Sequence, residues 1–190
     1  MGMAMIDPPR QHHVFETIAG FAVIAWSADR VVRFRLPAPT RAETESAIRR
    51  GSAAAEPPPF ICAAIDRACR YFAGERVDFA DVAIDLGRQE PFFAEVYALV
   101  CRLGWGETTT YGAIAAQLGA GPAAAQSVGQ AMARNPIPLI VPCHRVTAAG
   151  GRIGGFSAPG GSLSKARMLE MEGVSLAPPV AQSPQASFGF

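Results

Sequence analysis

A cysteine directly followed by a histidine and an arginine is the feature of this sequence that points most clearly to chemistry. The residues are Cys143, His144 and Arg145, and they end a proline-rich apolar segment that begins at Asn135. The thiolate, not the thiol, is the nucleophile, so a reactive cysteine needs a base or a positive charge nearby. His144 and Arg145 are the local candidates. The pattern therefore predicts that Cys143 is a nucleophile.

The local backbone decides whether the histidine reaches that sulfur. Residues 139–141, with a proline on each side, predict a short buried strand. If Cys143 and His144 continue the extended path, their side chains point to opposite faces and the imidazole does not contact the sulfur directly. A bridging water, with a third group that orients the imidazole, satisfies this geometry. The plainer interpretation is a buried structural cysteine beside an unrelated histidine.

The longer segment, residues 135–146, resembles the active-site signature of the O6-alkylguanine-DNA alkyltransferases. The similarity extends over residues 93–173. Within it, residues 106–112 resemble the family's pre-helix segment, residues 127–132 resemble its DNA-binding helix, and residues 170–173 resemble its terminal Glu-Gly. The part of the chain before residue 90 resembles the family's N-terminal domain only loosely.

This resemblance implies a DNA-repair activity that needs no cofactor. The family transfers a methyl or small alkyl group from O6 of guanine to a cysteine, here Cys143, and O4 of thymine is a further candidate donor. Transfer occurs once, because a thioether is not readily reversed. The implied partner is double-stranded DNA containing O6-alkylguanine, which is bound through the minor groove with the damaged base flipped out of the stack. We expect a monomer.

The resemblance also assigns catalytic roles to five residues. Cys143 accepts the alkyl group, His144 activates it through a water, and Glu172 orients the imidazole. Tyr111 donates a hydrogen bond to the flipped purine, and Asn135 braces the turn beside the active site. Without the resemblance, three of them have plainer interpretations: a tyrosine at a helix start usually packs against the core, an asparagine before proline forms a turn, and a glutamate before glycine lies exposed at a helix end.

Two further groups of residues follow from the resemblance. The first binds the substrate base, and it includes the glycine-rich loop 154–161, which is about two residues longer than the family's loop and contains a proline. The second belongs to a helix of small side chains whose periodicity alone favours core packing, whereas the resemblance favours contact with DNA. The substrate-binding candidates are Val146, Phe156 and Ser157, and the DNA-binding candidates are Ala125, Gln126, Ser127, Gly129 and Arg134. Gln126 stands where most of the family has an arginine that replaces the flipped base.

Composition is that of an ordinary soluble protein of one or two small domains, with 49% apolar and 17% charged residues among 190. No apolar run approaches the roughly 20 residues of a membrane helix. The first residues lack the charged head of a signal peptide, and Ile6 breaks the myristoylation pattern. We therefore expect a cytoplasmic protein that does not contact membranes.

Neither cysteine spacing nor overall charge adds a strong signal. The four cysteines form no C-x-x-C pair, and no zinc-ligand spacing is present, so we expect neither disulfides nor metal. The net charge is +1, although residues 101–190 carry six Arg or Lys against three Asp or Glu. This modest excess is compatible with DNA binding and equally with scattered surface charge.

The first half of the chain predicts an α+β domain. Residues 21–26 and 31–36 form a β-hairpin, residues 41–50 a helix, residues 60–73 a second helix, and residues 77–86 a strand by their alternation. Residues 51–59 form a loop. The resemblance identifies this N-terminal domain, residues 1–89, as ribonuclease H-like.

The second half predicts a helix-turn-helix. A helix begins at Pro91 and continues to Leu103, a second spans residues 111–118 behind a threonine cap, and a third spans residues 122–134. The resemblance identifies residues 90–174 as a winged-helix DNA-binding domain that carries the active-site cysteine. Residues 175–190, rich in Pro, Ser and Ala, predict a disordered tail.

Two other functions stay open at this stage. One is a noncatalytic lesion-binding protein of the alkyltransferase-like type, but those relatives lack the acceptor cysteine. The other is an unrelated winged-helix protein with a redox-sensing thiol, and the Cys-His pair is the only feature that supports it.

Overall fold

A computed structural model describes residues 10–48 and 51–175, which form a mixed α+β structure; residues 176–190 of the predicted tail lie outside the described residues. The first half contains a four-stranded sheet and two helices. Its strands and helices are β1 (Gln11–Thr17), β2 (Gly20–Ser27), β3 (Arg30–Ala38), α1 (Arg41–Ser46), β4 (Ala53–Ala54) and α2 (Pro59–Phe72).

The sheet has the order β3-β2-β1-β4, in which β1 runs antiparallel to β2 and parallel to β4. The predicted hairpin is present as β2 and β3, and Ile24 lies opposite Phe34. Alternation then separates the two faces, because Ile24 and Phe34 enter the main core while Val23 and Ala25 form a smaller cluster with Val14 and Ile48. The face that carries Ile24 and Phe34 is therefore the one that supports the rest of the chain.

Three predictions for this half need correction. Residues 77–86 form no regular strand; instead Val31 donates to the carbonyl of Ala83 (2.9 Å), and Asp85 donates to that of Val31 (2.8 Å). This segment covers the outer edge of β3, which explains its extended alternation without a ladder. The short strand β4 lies inside the predicted loop, and α1 ends at Ser46.

The second half is mainly helical. It contains α3 (Pro91–Val100), β5 (Thr109–Thr110), α4 (Tyr111–Gln117), α5 (Ala125–Ala133), β6 (Val146–Thr147) and α6 (Gly161–Met171). Thr110 caps α4, since its hydroxyl accepts from the Ala113 N–H (3.1 Å). A short 3₁₀ turn at residues 122–124 leads into α5, and β5 pairs with β6 in parallel. Among the described residues, no helix is long and apolar enough to cross a membrane.

One hydrophobic core joins the two halves. It runs without a break from Phe15 and Phe34 in the sheet, through Tyr71 of α2, to Val96 of α3 and Val128 of α5. A backbone hydrogen bond adds to this contact, because Phe34 donates to the carbonyl of Pro136 (3.0 Å). The segment that precedes Cys143 is thus held against the edge of the N-terminal sheet.

Candidate active site

The nucleophile segment is a series of tight turns and not the predicted strand. Leu139 has a φ of 77°, and Pro142, at φ −79° and ψ 63°, closes an inverse γ-turn in which Cys143 donates to the carbonyl of Val141 (2.8 Å). Cys143–Arg145 then form one 3₁₀ turn. The predicted strand over residues 139–141 was wrong, because the left-handed Leu139 bends the chain, and Cys143 and His144 therefore do not continue an extended path.

Asn135 holds both ends of this turn. Its Nδ2 donates to the carbonyl of Val141 (2.9 Å), and its Oδ1 accepts from the N–H of Ile137 (3.0 Å). A leucine at positive φ costs about 1–3 kcal/mol and persists only where its surroundings impose it. The two side-chain hydrogen bonds of Asn135 are the local interactions that hold the strained turn.

His144 and Glu172 form a buried pair. Nε2 of His144 lies 2.8 Å from Oε1 of Glu172, and neither side chain is exposed. Burial raises the pKa of Glu172, but the hydrogen bonds from His144 and Arg145 and the positive charge of Arg145 outweigh it and lower the pKa to about 2. The carboxylate is an acceptor only, so Nε2 carries the proton and donates it.

This tautomer leaves Nδ1 of His144 with its lone pair. Nδ1 is buried and has no hydrogen-bond partner within the described part of the chain. Burial lowers the pKa of His144, so the imidazole is neutral at neutral pH. A neutral imidazole with a free lone pair, supported at its other nitrogen by a carboxylate, has the chemistry of a general base.

Arg145 binds the carboxylate of Glu172 and not the sulfur of Cys143. Its Nε donates to Oε2 of Glu172 (2.8 Å) and its Nη2 to Oε1 (2.9 Å), while Nη1 donates to the carbonyl of Leu103 (2.6 Å). The N–H of Gly106 adds a bond to Oε2 (3.1 Å). A Cβ at Gly106, whose φ is 74°, would lie 2.9 Å from the carbonyl of Glu172. The sequence-based suggestion that Arg145 activates Cys143 is therefore replaced by a structural role at Glu172.

Tyr71, which the sequence interpretation missed, joins this buried cluster from the N-terminal half. Its hydroxyl donates to Oε1 of Glu172 (2.9 Å) and lies 3.4 Å from Nε2 of His144. Tyr71 is fully buried on the inner face of α2. A buried tyrosine hydroxyl requires a partner, and the spacing Ile61, Ala64, Ala68, Tyr71 was the available signal for burial.

Lys165 is the second missed residue, and it supplies the positive charge near the sulfur. Burial lowers its pKa to about 8, and the Cys143 thiolate opposes that shift. The ammonium donates to the carbonyl of Val146 (2.5 Å) and more weakly to the Tyr111 hydroxyl (3.3 Å). The signal was its position as the only lysine in the sequence, three and four residues before the buried Met168 and Leu169 of α6.

The sulfur itself is in an environment that opposes ionisation. Burial raises the pKa of the Cys143 thiol, while a hydrogen bond from Asn135 and the charge of Lys165 lower it. The residue is 4% exposed. Because burial dominates, proton removal has to be assisted by a base. The four cysteines are all free, and the described residues contain no His, Cys, Asp and Glu cluster that would hold a metal ion.

A cavity of about 480 Å³ brings Cys143 together with many of the predicted site residues. Phe156 and Ser157 come from the glycine-rich loop, and the Tyr111 hydroxyl donates to Gly155 of the same loop (3.3 Å). Ser157 is itself tied back, since its hydroxyl donates to Ala133 (2.9 Å). The predicted residues that line the cavity are Tyr111, Ala125, Gln126, Gly129, Cys143, Phe156 and Ser157.

The remaining predicted residues lie outside the lining of this cavity. Val146 is buried in β6, Ser127 is half-buried on α5, and Arg134 stacks on the Phe93 ring with its Cζ 5.6 Å from the centroid. The inner face of α5 carries Val128, Ala131 and Met132, so the helix packs on the core and still exposes Gln126.

Known proteins show the same combination of sequence and fold. Residues 91–174 match the family described as "6-O-methylguanine DNA methyltransferase, DNA binding domain". The methylated-DNA--protein-cysteine methyltransferase of Mycobacterium bovis is 44% identical over 115 residues, which cover 60% of this chain and 67% of that protein. Its counterpart of the same name in Methanothermobacter thermautotrophicus is 37% identical over 129 residues, 68% of this chain and 70% of that one.

Solved structures extend the similarity to the N-terminal half. The crystal structure of Mycobacterium tuberculosis OGT in complex with DNA matches with a TM-score of 0.70 at 34% identity, covering 86% of this chain and 93% of that one. The O6-methylguanine-DNA methyltransferase of Pyrococcus kodakaraensis matches with a TM-score of 0.64 at 26% identity, covering 87% and 99%. The chain belongs to the methylated-DNA--protein-cysteine methyltransferase family.

Proposed function

We propose that this protein repairs alkylated DNA by transferring one methyl or small alkyl group from O6 of guanine to Sγ of Cys143. The observation that carries the proposal is the cavity that contains both Cys143 and the exposed residues of α5. A flipped base in this cavity lies beside the nucleophile while α5 stays on the DNA. The relatives are named for this activity.

The first step removes the thiol proton. A water that bridges Sγ of Cys143 and Nδ1 of His144 passes the proton to the imidazole, and the Glu172 carboxylate stabilises the imidazolium that forms. This assignment is supported by the free lone pair on Nδ1 and the 2.8 Å contact at Nε2. Asn135 and Lys165 favour the resulting thiolate.

The second step is an in-line displacement. The thiolate forms a bond to the alkyl carbon, the carbon–O6 bond breaks, and its electron pair stays on the guanine oxygen while the leaving purine takes up a proton. Tyr111 donates a hydrogen bond to the purine, and its hydroxyl already accepts from the Lys165 ammonium (3.3 Å). The thioether does not release the cysteine, so each molecule acts once.

Binding of DNA is assigned to α5 in the minor groove. Ala125, Ser127 and Gly129 let the helix approach the sugar-phosphate backbone closely, Arg134 adds positive charge, and Gln126 fills the space that the flipped base leaves. We assign the base to Phe156 and Ser157, which line the cavity; Val146 can contribute only through its backbone carbonyl, because its side chain is buried outside that lining. A carbonyl fixed by Lys165, as at Val146, is a suitable acceptor for an exocyclic amine.

We also propose specific folds for the two domains. The strand order β3-β2-β1-β4, with β1 parallel to β4, supports a ribonuclease H-like N-terminal domain over residues 1–89. The pairing of β5 with β6 beside α4 and α5 supports a winged-helix domain over residues 90–174. We propose that the protein acts as a monomer, because one chain supplies every group of the mechanism. We propose the cytoplasm as its location.

Mass spectrometry tests the function directly. Incubation with duplex DNA containing O6-methylguanine is expected to add the mass of one methyl group to Cys143, and to none of Cys62, Cys69 or Cys101, because only Cys143 lies in the cavity with the base relay. Unmodified protein that binds the lesion would favour the noncatalytic alternative. Methylation at another cysteine, or repeated turnover, would contradict the proposal.

A second expectation concerns Gln126→Arg. A guanidinium stacks and is attracted to the negative groove better than an amide, so duplex repair is expected to accelerate about tenfold if roughly 1.4 kcal/mol of the flipping cost is recovered. Free O6-benzylguanine, which needs no flipping, serves as the control substrate and should react at an unchanged rate. An unchanged or slower duplex rate would show that Gln126 is already an adequate wedge or that Gln130 fills that role.

A third expectation concerns the contribution of α2. Tyr71→Phe removes the hydroxyl that donates to Oε1 of Glu172, and loss of one such hydrogen bond to a charged group corresponds to about a tenfold slower transfer. The ring stays, so core packing and DNA affinity should be preserved. Single-turnover rates on O6-methylguanine duplex, measured across pH, check this. Tyr97→Phe, which breaks a buried hydrogen bond to Ala131 (2.7 Å), is the matched control and should leave the pH profile unchanged.

A further inference from the structure

A tight turn at residues 104–107 lies beside the carboxylate of Glu172. The N–H of Glu107 donates to the carbonyl of Gly104 (3.1 Å), which makes these four residues one β-turn. Gly106, at the third position, has a φ of 74°. Positive φ at that position is the requirement of a type II turn, and glycine meets it without strain. The turn type fixes the direction of the peptide between Trp105 and Gly106.

That peptide direction is what brings the 104–107 turn into contact with the site. The N–H of Gly106 donates to Oε2 of Glu172 (3.1 Å). In a type I turn the middle peptide is reversed, so the same N–H would point away from the carboxylate. Leu103, directly before the turn, accepts from Nη1 of Arg145 (2.6 Å). The turn therefore holds Glu172 directly and also holds the arginine that pairs with it.

The 104–107 turn also contacts the buried cluster from a second side. The ring of Trp105 packs edge-on against Tyr71, with the ring centroids 5.5 Å apart. The hydroxyl of Tyr71 donates to Oε1 of Glu172 (2.9 Å). A displaced turn would consequently disturb hydrogen bonds to both carboxylate oxygens.

The side chain of Glu107 closes this turn. Its Oε2 accepts from the N–H of Gly104 (2.7 Å), so a side-chain bond is added to the backbone bond between the same two residues. A hydrogen bond to an ionised carboxylate is stronger than a neutral one. A Cβ at Gly104 would lie 3.3 Å from this oxygen, so glycine leaves the space that the close contact needs. Glu107 itself is exposed and reaches Glu172 through the backbone of the turn.

We propose that Glu107 is a positioning residue for the general base. By clamping the 104–107 turn it keeps the Gly106 N–H on Glu172 and the Leu103 carbonyl on Arg145, and the carboxylate of Glu172 is thereby held where it accepts from His144. The readout of this inference rests on the proposed function, because it is the rate of alkyl transfer.

Three substitutions at Glu107 test the clamp. Glu107→Ala removes it, Glu107→Asp keeps the charge on a side chain one methylene shorter, and Glu107→Gln keeps an oxygen that accepts from Gly104. Glu95→Ala, which removes an exposed carboxylate of α3, is the matched control. Single-turnover transfer is measured from about pH 6 to about pH 10 on O6-methylguanine duplex and on free O6-benzylguanine, with DNA affinity and melting temperature beside it.

Glu107→Ala and Glu107→Asp are expected to transfer about fivefold more slowly at neutral pH on both substrates, the size of one hydrogen bond. The defect should shrink as pH rises toward the pKa of the Cys143 thiol, because the thiolate then forms without the base. Glu107→Gln and Glu95→Ala should transfer at a rate close to that of the wild type at every pH.

Other outcomes would overturn the proposal. A defect of the same size at every pH would assign Glu107 to general stability, and a defect on duplex alone, with altered affinity, would assign it to DNA contact. Equal loss in Glu107→Gln and Glu107→Ala would show that charge matters and the clamp does not. Failure of the wild type to methylate Cys143 would instead refute the underlying function.

Discussion

Glu172→Gln is expected to slow alkyl transfer by about 10²–10⁴-fold, the range that general-base assistance supplies, while affinity for alkylated DNA stays nearly unchanged. The carboxylate accepts from Nε2 of His144 and thereby keeps the lone pair on Nδ1. A neutral amide still accepts that proton, but it provides no charge to stabilise the imidazolium. The substitution therefore slows the removal of the thiol proton, and it leaves the DNA-binding surface of α5 unchanged.

The measurement is a single-turnover transfer rate beside a binding isotherm on the same O6-methylguanine duplex. Glu170→Gln, two residues away and exposed in the last turn of α6, removes a neighbouring carboxylate and should change neither quantity. Glu172→Gln also removes the carboxylate that pairs with Arg145, and loss of this buried ion pair lowers the stability of the variant. Transfer is therefore compared below the melting temperature of the variant. Equal losses of affinity and rate would mean that Glu172 holds the fold together instead of supporting the base.

The pH dependence of stability provides an independent check on Glu172. Its pKa is about 2 in the folded protein against an ordinary value of 4.5. A carboxyl group whose folded pKa is depressed contributes stability that is present above the ordinary value and is lost as pH falls through the folded value. The difference in unfolding free energy between wild type and Glu172→Gln should therefore shrink between pH 4.5 and 2. A difference that is constant over this window would contradict the charged assignment.

The site residues that could be predicted from the sequence are those that lie in one continuous motif. Cys143 and His144 are adjacent in the sequence, and Asn135 starts the same segment, so residue type and spacing identified them. The turn that joins them was not predictable. Leu139 has no residue-type signal for positive φ, and it lies in a turn that the Asn135 side chain bonds at both Val141 and Ile137. Local side-chain to backbone hydrogen bonds outweighed the strand propensity of this apolar run.

Long-range partners were the other missing part. Tyr71 and Glu172 are 101 residues apart in the chain, and periodicity along α2 indicates which face is buried but not which polar group meets it. The same limit applies to residues 77–86, where alternation showed an extended chain but not whether it paired in a ladder. Within the first half, the hairpin of β2 and β3 was predictable because its strands and turn are local.

The buried ammonium of Lys165 lowers the stability of the fold but favours the thiolate of Cys143. The lowered pKa of about 8, against an ordinary 10.5, means that the unfolded chain holds this proton more tightly than the folded protein between those values. Stability therefore rises with pH across that window, and at neutral pH the buried ammonium is a cost to the fold. The protein retains it next to Cys143, where its charge lowers the pKa of the thiol.

Lys165→Met is accordingly expected to slow methyl transfer without lowering the stability of the fold. The variant should unfold at the same or a higher temperature at pH 7, since a buried charge is replaced by an apolar chain of similar length, although the carbonyl of Val146 loses its donor. Transfer of the methyl group should slow by at least about tenfold, equivalent to roughly 1.4 kcal/mol of barrier, because less thiolate is present and the Tyr111 hydroxyl loses its donor.

The discriminating readout for Lys165→Met is the rate at which iodoacetamide alkylates Cys143 across pH, which reports the thiol without DNA. The variant profile should shift to higher pH than that of the wild type. Arg167→Met, an exposed cation two residues further along α6, should leave profile, transfer and melting temperature unchanged. A lower melting temperature with an unshifted thiol profile would show that Lys165 supports the packing of α6 and does not act on the sulfur.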